Sequence, residues 1–130
     1  DFDRAKAIDM LSFMKLDKNE RVKAMSKGMV EKLNLTLTFS RRSKLFLLDE
    51  PLGGVDPVAR ERIVSTIIKT WTEDSAIVIS THLVNDVEQL FNDVAFIDRG
   101  EIILQGDAET LRAERGKSID QLYIEIFADR

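Results

Sequence analysis

Leu45-Phe46-Leu47-Leu48-Asp49-Glu50-Pro51 is the stretch that decides the fold. Four consecutive apolar residues running into two carboxylates read as a strand buried on both faces, as in a parallel sheet covered by helices. Asp49 and Glu50 then stand at the C-terminal end of the strand, the edge at which open α/β sheets bind their ligands. Adjacent residues on an extended chain point in different directions. One carboxylate is thus free to hold a metal while the other faces a water. Read alone, an Asp-Glu pair more often marks a helix cap or a solvated strand end.

Toward the C-terminus, Gly53-Gly54 marks a loop, and Asp56-Pro57 starts a helix with Asp as N-cap and Pro at its first position. Ile63, Ile67 and Trp71 form one stripe, with Val64 and Ile68 beside it. Ala76-Ile77-Val78-Ile79 is a second apolar strand, ending in Ser80-Thr81-His82. Strand, helix, strand is a βαβ unit with a right-handed crossover. Parallel neighbours that end together bring His82 near Asp49 and Glu50. An imidazole there can touch a phosphate oxygen or position a water. A lone loop histidine more often caps a helix or bonds to backbone.

Farther on, Val84, Val87 and Phe91 predict another helix. Residues 93–97 and 101–105 predict two strands joined by Arg99-Gly100 as a hairpin. Asp107 starts a short helix that Gly116 ends. Residues 118–127 fit a helix through Ile119, Leu122, Tyr123 and Ile126, while the alternation within 122–127 also fits a strand.

Toward the N-terminus, residues 26–39 predict a helix capped by Ser26, with Met29, Leu33 and Leu37 on one stripe and Val30 beside it. Residues 15–23 are charged and read as a turn or loose connection. Residues 3–14 place Ala5, Ile8, Leu11 and Met14 at helical spacing. Met25-Ser26-Lys27-Gly28-Met29 opens the second helix with free N–H groups, a hydroxyl, a glycine and a lysine charge, a combination that suits an anion. An ordinary serine-capped start is the competing reading.

Composition sets the bounds. The chain has 130 residues, the size of one domain, with 19 Lys and Arg against 23 Asp and Glu and a formal net charge of −4. That balance argues against a strong non-specific grip on nucleic acid or anionic lipid. With 44% hydrophobic and 32% charged residues, the composition is globular rather than disordered. No cysteine is present, which excludes disulfides, zinc–thiolate sites and a cysteine nucleophile, and the single histidine excludes a multi-histidine metal cage. No apolar run approaches the ~20 residues of a membrane span. No repeat, low-complexity tract or linker appears. Asp1-Phe2-Asp3-Arg4 reads as a cut end rather than a natural start.

The order of these pieces resembles the nucleotide-binding domain of ABC transporters. Met25-Ser26-Lys27-Gly28-Met29 is similar to the signature motif, usually Leu-Ser-Gly-Gly-Gln. Residues 45–49 resemble the Walker B strand, with Glu50 in the place of the catalytic glutamate. Gly53-Gly54-Val55-Asp56 resembles the D-loop, and His82 the switch histidine. The match covers nearly the whole chain, the hairpin and final helices included.

The resemblance implies an α/β P-loop NTPase (RecA-like, ABC) parallel sheet with helices, incomplete here. Residues 1–40 are implied to be part of the ABC helical subdomain and 41–130 part of the RecA-like core with a C-terminal β-hairpin. Asp49 would hold Mg²⁺ through water, Glu50 would polarise the attacking water, and His82 would contact the γ-phosphate. Ser26, Lys27 and Gly28 would meet the ATP of a partner subunit, and Asp56 would act across the dimer interface. This is phosphoryl transfer by positioning and charge neutralisation. Lys27 and Met29 depart from the family's glycine and glutamine. Leu52 and Gly53 stand where Thr and Ser are usual, and Val55 stands for Leu. The Gly53-Gly54 pair is expected to make the D-loop more flexible.

The phosphate-cradling loop G-x-x-x-x-G-K-[ST] is not found. Gly116-Lys117-Ser118 imitates its end, but Leu111 occupies the first glycine position and a helix precedes it where a strand is needed. Gly116 reads instead as a helix C-cap and Ser118 as the next N-cap. The phosphate loop, the Q-loop glutamine and the adenine-stacking aromatic are expected before Asp1, which makes the chain the C-terminal half of the domain. In the related sheet the phosphate-loop strand lies between the His82 strand and the 93–97 strand. Its loss implies two open strand edges and association or strand exchange of the isolated piece.

The expected parent is a bacterial ABC transporter ATPase subunit, cytoplasmic and peripheral on the inner face of the membrane. It would bind MgATP in a head-to-tail dimer, engage transmembrane permease subunits and need no nucleic acid. The piece alone is expected to neither bind ATP tightly nor hydrolyse it. Two alternatives stand beside this. A non-transport ABC ATPase of DNA maintenance would join the signature half to a long coiled coil, whereas residues 3–23 show at most a short helix. One of translation usually carries Asn-His-Leu-Asp near the D-loop. A non-enzymatic half-domain used for dimerisation has no need of Asp49, Glu50 and His82 at strand ends. The reading frame upstream of Asp1 discriminates the last case.

Overall fold

Five of the six α-helices begin at an Asp or Ser whose side chain accepts a backbone N–H of the first turn: Asp3 from Lys6, Ser26 from Met29, Asp56 from Ala59, Asp107 from Thr110 and Ser118 from Gln121. Each such cap satisfies a donor that the helix itself cannot. Local chemistry thus sets most helix starts. The computed structural model describes all residues 1–130, which form two units, Asp1–His82 and Leu83–Arg130.

The first unit contains α1 (Arg4–Phe13), α2 (Lys27–Phe39), β1 (Leu45–Asp49), α3 (Pro57–Thr70) and β2 (Ala76–Ser80). Within residues 15–23 the connection includes the start of a 3₁₀ turn, Val22–Ala24. Strands β1 and β2 pair in parallel, from Leu45 opposite Ala76 to Asp49 opposite Ser80. The fully buried side chains include Met14, Phe39, Leu52 and Ile63. Phe39 meets Phe46 edge-on, with ring centroids 5.1 Å apart. Buried hydroxyls are satisfied locally: Ser40 donates to the Thr36 carbonyl at 2.6 Å and Thr66 to the Arg62 carbonyl at 2.8 Å.

Four expectations are corrected here. The parallel pair is covered on one face only. Phe46 and Leu48 are buried, while Leu47 is 69% exposed and Leu45 and Val78 are about half exposed. The β pleat sends alternate side chains to opposite faces, and Phe39 of α2 meets Phe46 on the covered one. On α1 the buried residues are Ala7 and Met10, followed by Met14, whereas Ile8 of the expected stripe is exposed. On α2 they are Leu35, Thr36 and Phe39, and Leu37 is exposed. Both helices carry apolar residues around much of their circumference, so packing selects the core face. On α3, Ile63, Val64 and Ile67 are buried as the spacing predicts, but Ile68 and Trp71 are about half exposed.

The second unit contains α4 (Val84–Val87), a 3₁₀ turn at Glu88–Leu90, β3 (Asp93–Asp98), β4 (Glu101–Asp107), α5 (Ala108–Arg115) and α6 (Ile119–Phe127). The helix expected to reach Phe91 stops after Val87. Glu88 is drawn into tertiary bonding instead: its carbonyl accepts from Arg112 at 2.6 Å, and its carboxylate accepts the N–H groups of Ile119 and Asp120 at 3.2 and 3.1 Å. The hairpin forms, with Arg99 and Gly100 both at positive φ (50° and 84°) and an irregularity between Phe96 and Ile97. Two positive φ angles give the turn a twist that matches the strands. Residues 118–127 are helical. Ser118 and Gln121 form a reciprocal capping box, while Ile119 and Leu122 enter the core. Gly116, at φ 61°, is the left-handed cap of α5. The Gly-Lys-Ser sequence there is a helix end and a helix start, not a phosphate loop.

Candidate functional site at the end of the parallel strands

The parallel register brings the ends of β1 and β2 side by side, and with them Asp49, Glu50, Ser80, Thr81 and His82. The Ser80 hydroxyl donates to Asp49 Oδ1 at 2.5 Å. The Glu50 N–H donates to the Ser80 carbonyl at 2.8 Å, which carries the pairing one residue beyond the strand. Glu50 itself turns into the left-handed region, at φ 46°. That conformation is uncommon outside glycine. Here it turns the chain out of the strand directly at the acidic pair.

Glu50 is held from three donors. Thr81 Oγ1 donates to Oε2 at 3.0 Å, the His82 backbone N–H donates to Oε1 at 3.0 Å, and His82 Nδ1 lies 2.7 Å from the same oxygen. Partial burial alone would raise the carboxyl pKa. The hydrogen bonds from the His82 ring, Thr81 and the His82 backbone, with the histidine charge, outweigh it and hold Glu50 below its ordinary 4.5. Glu50 is therefore a carboxylate at neutral pH and can only accept. The proton must sit on His82 Nδ1, which leaves Nε2 as the ring's remaining polar atom. The imidazole side chain is 65% exposed and Glu50 38%, so both can be reached from solvent.

Asp49 has a hydroxyl partner on one oxygen, and no group of three or more His, Cys, Asp or Glu side chains gathers around it. A lone carboxylate with a neighbouring hydroxyl fits Mg²⁺, which keeps several waters and takes one or two carboxylates plus substrate phosphates.

The other sequence-predicted residues lie around the start of α2 and the loop before α3. The Ser26 hydroxyl accepts the Met29 N–H at 3.2 Å, and Asp56 Oδ1 accepts the Ala59 N–H at 3.0 Å. Both therefore serve as N-caps. A Cβ built on Gly28 would stand 3.8 Å from a Val55 methyl and 4.0 Å from Asp56 Oδ2, which places the first turn of α2 against the 52–56 segment. Lys27 reaches over Gly54 in the same segment. Leu52 is fully buried and Val55 is 3% exposed, so both ends of the glycine pair are anchored in the core.

Sequence reasoning missed the roles of Ser80 and Thr81. The signal was available: in a parallel pair, the hydroxyls preceding His82 fall opposite Asp49 and Glu50.

The fold is that of a partial ABC ATPase domain. One solved ATP-binding subunit of an ABC transporter superimposes with a TM-score of 0.78 over 93% of this chain and 52% of its own, at 24% identity. The cbiO1 structure from Clostridium perfringens, described as part of the ABC transporter complex cbiONQ, gives 0.69 over 86% of this chain and 46% of its own, at 23% identity.

In sequence, the chain is similar to part of several ABC transporter ATP-binding proteins. It is 28% identical to YtrB of Bacillus subtilis over 87% of this chain and 39% of YtrB. It is 36% identical to the lantibiotic transport ATP-binding protein SrtF of Streptococcus pyogenes over 65% of this chain and 37% of SrtF. The chain thus spans about two fifths of the length of these curated relatives. No family model matches it. No helix is long and apolar enough to cross a membrane.

Proposed function

We propose that this chain is the signature-to-switch portion of an ATP-hydrolysing subunit of an ABC transporter. Residues 1–40 would belong to the helical subdomain and 41–130 to the RecA-like core. The observation that carries the reading is the Glu50 carboxylate, kept ionised by Thr81 and His82 at the end of an apolar parallel strand. The order of the motifs and the named relatives support it further.

In this reading Glu50 orients the attacking water, and His82, with both ring nitrogens protonated, donates from Nε2 to the γ-phosphate while Nδ1 stays on Glu50. Asp49, steadied by Ser80, holds Mg²⁺ through water. The metal supplies charge neutralisation at the phosphates when bound. Ser26, Lys27 and Gly28 face the ATP of a partner subunit, and Asp56 acts across the dimer interface. The whole protein would work as a head-to-tail dimer on transmembrane permease subunits at the inner face of the membrane. The 130-residue chain by itself is expected to neither bind ATP tightly nor hydrolyse it.

The test is Glu50→Gln in an ATP-hydrolysing protein that contains this chain. Binding of ATP is expected to persist while turnover falls by roughly 10²-fold or more. Wild-type turnover would remove Glu50 from its role, and robust hydrolysis by the 130-residue chain alone would overturn its assignment as an inactive portion.

A further inference from the structure

Lys27 and Gly54 share one space. A Cβ placed on Gly54 would stand 2.8 Å from Lys27 Cε and 3.2 Å from Cδ, and closer still to the ammonium. The outer part of the lysine side chain, from Cδ to the ammonium, therefore occupies the volume that a side chain at 54 would need. Gly54 also has φ 68°, a conformation that L side chains adopt at a cost. A side chain at 54 would therefore have to displace the end of Lys27 and hold a positive φ.

The surroundings are fixed. Leu52 and Val55 are buried on either side of the glycine pair. The Gly53 N–H donates to the Glu50 carbonyl at 3.0 Å, and the Val55 N–H donates to the Leu52 carbonyl at 3.3 Å. Gly28, adjacent to Lys27, lies against Val55 and Asp56. Between these anchors the outer end of the Lys27 side chain, Cδ, Cε and the ammonium, lies against the bare backbone of Gly54.

We propose that Lys27 is a positioning residue for the 52–56 loop. Its stem, laid across Gly54, sets the path by which the chain leaves the Glu50 turn and delivers Asp56 to the start of α3. The pairing is reciprocal: a side chain at 54 expels the lysine, and loss of the stem uncovers the loop. The functional consequence rests on the ATPase reading, in which Asp56 works across a subunit interface. The structural claim does not, since the contact lies within one chain.

The test uses the 130-residue chain, ¹⁵N-labelled, with no nucleotide. Lys27→Ala is expected to shift the amide resonances of Gly53, Gly54 and Val55 and to speed hydrogen exchange at Val55 several-fold. Lys27→Met, which keeps an unbranched stem without the charge, is expected to restore both. Lys32→Ala on the same helix serves as control and should leave the loop amides in place. In the converse variant, Gly54→Ala should shift the side-chain resonances of Lys27. Unmoved loop amides in Lys27→Ala, or a Lys27→Met chain that behaves like Lys27→Ala, would overturn the proposal. Because no readout involves ATP, failure of the ATPase reading would leave these outcomes interpretable.

Discussion

His82 Nδ1 and Glu50 Oε1 stand 2.7 Å apart although 32 positions separate the two residues in the chain. The contact is a product of register. Asp49 pairs with Ser80 at the last rung of the parallel ladder, so the next residues on the two strands leave the sheet together. Glu50 then turns at positive φ and meets the backbone and ring of His82. Nothing local to either residue would produce this pair.

The contact predicts a pH dependence. The Glu50 pKa is lowered in the folded chain, so its bonding stabilises the fold fully above the ordinary value of 4.5 and is lost as pH falls through the lower folded value. Titration of the Glu50 side-chain carbonyl by NMR should show a midpoint below 4.5. In His82→Ala the midpoint should move upward, with Thr81 and the backbone N–H retaining part of the shift. An identical midpoint in the variant would show that the imidazole does not act on Glu50.

Two neighbours on β1 should respond very differently to truncation. Leu48 is buried, and Leu48→Ala is expected to cost about 2–5 kcal/mol through lost contacts and a residual cavity. Leu47 points to the open face, and Leu47→Ala should change stability by no more than about 0.5 kcal/mol. Urea unfolding of the two variants measures the contrast. Equal losses would mean that both faces are covered in solution.

Glu88 ties three elements of the second unit together. Its carboxylate takes two N–H groups at the start of α6 and lies 3.5 Å from the Arg112 guanidinium. The charge at a helix start and the satisfied donors both favour the fold. Glu88→Ala is expected to cost about 1–3 kcal/mol, since two partly buried N–H groups lose their acceptor. Thermal unfolding checks this, and amide exchange at Ile119 and Asp120 should rise first.

The hairpin turn gives a prediction with two signs. Gly100 has φ 84° and open space around it, so Gly100→Val should destabilise by about 1–2 kcal/mol through backbone strain alone. Arg99, at φ 50°, carries a smaller version of the same strain, and Arg99→Asn should be neutral or mildly stabilising. The unfolding midpoint of Gly100→Val should fall below the parent value, and that of Arg99→Asn at or above it.

Much of this fold was legible because its signals are local. Ser26, Asp56, Asp107 and Ser118 all cap helices where the sequence places a short polar side chain at the start of a helical segment. Arg99-Gly100 joins two strands, and Gly116 closes a helix, through backbone preferences carried by single residues. The core faces of α1 and α2 were not legible. Ile8 and Leu37 fit a helical stripe as well as Met10 and Phe39 do, and only the position of neighbouring elements separates them. The helix after Leu83 likewise ends where Glu88 finds distant partners, which no local propensity records.

The amino-acid order by itself determined the strand–helix–strand unit, most helix starts, the acidic pair at a strand end and the histidine at the next. These follow from propensities that act within a few residues. Tertiary structure decided which partner each group took: Ser80 on Asp49, Thr81 and His82 on Glu50, and the Lys27 stem over Gly54. The physical reason is that hydrogen bonds and steric contacts depend on distances between atoms far apart in the chain. Those distances exist only once the parallel register and the packing of α2 and α3 have fixed them.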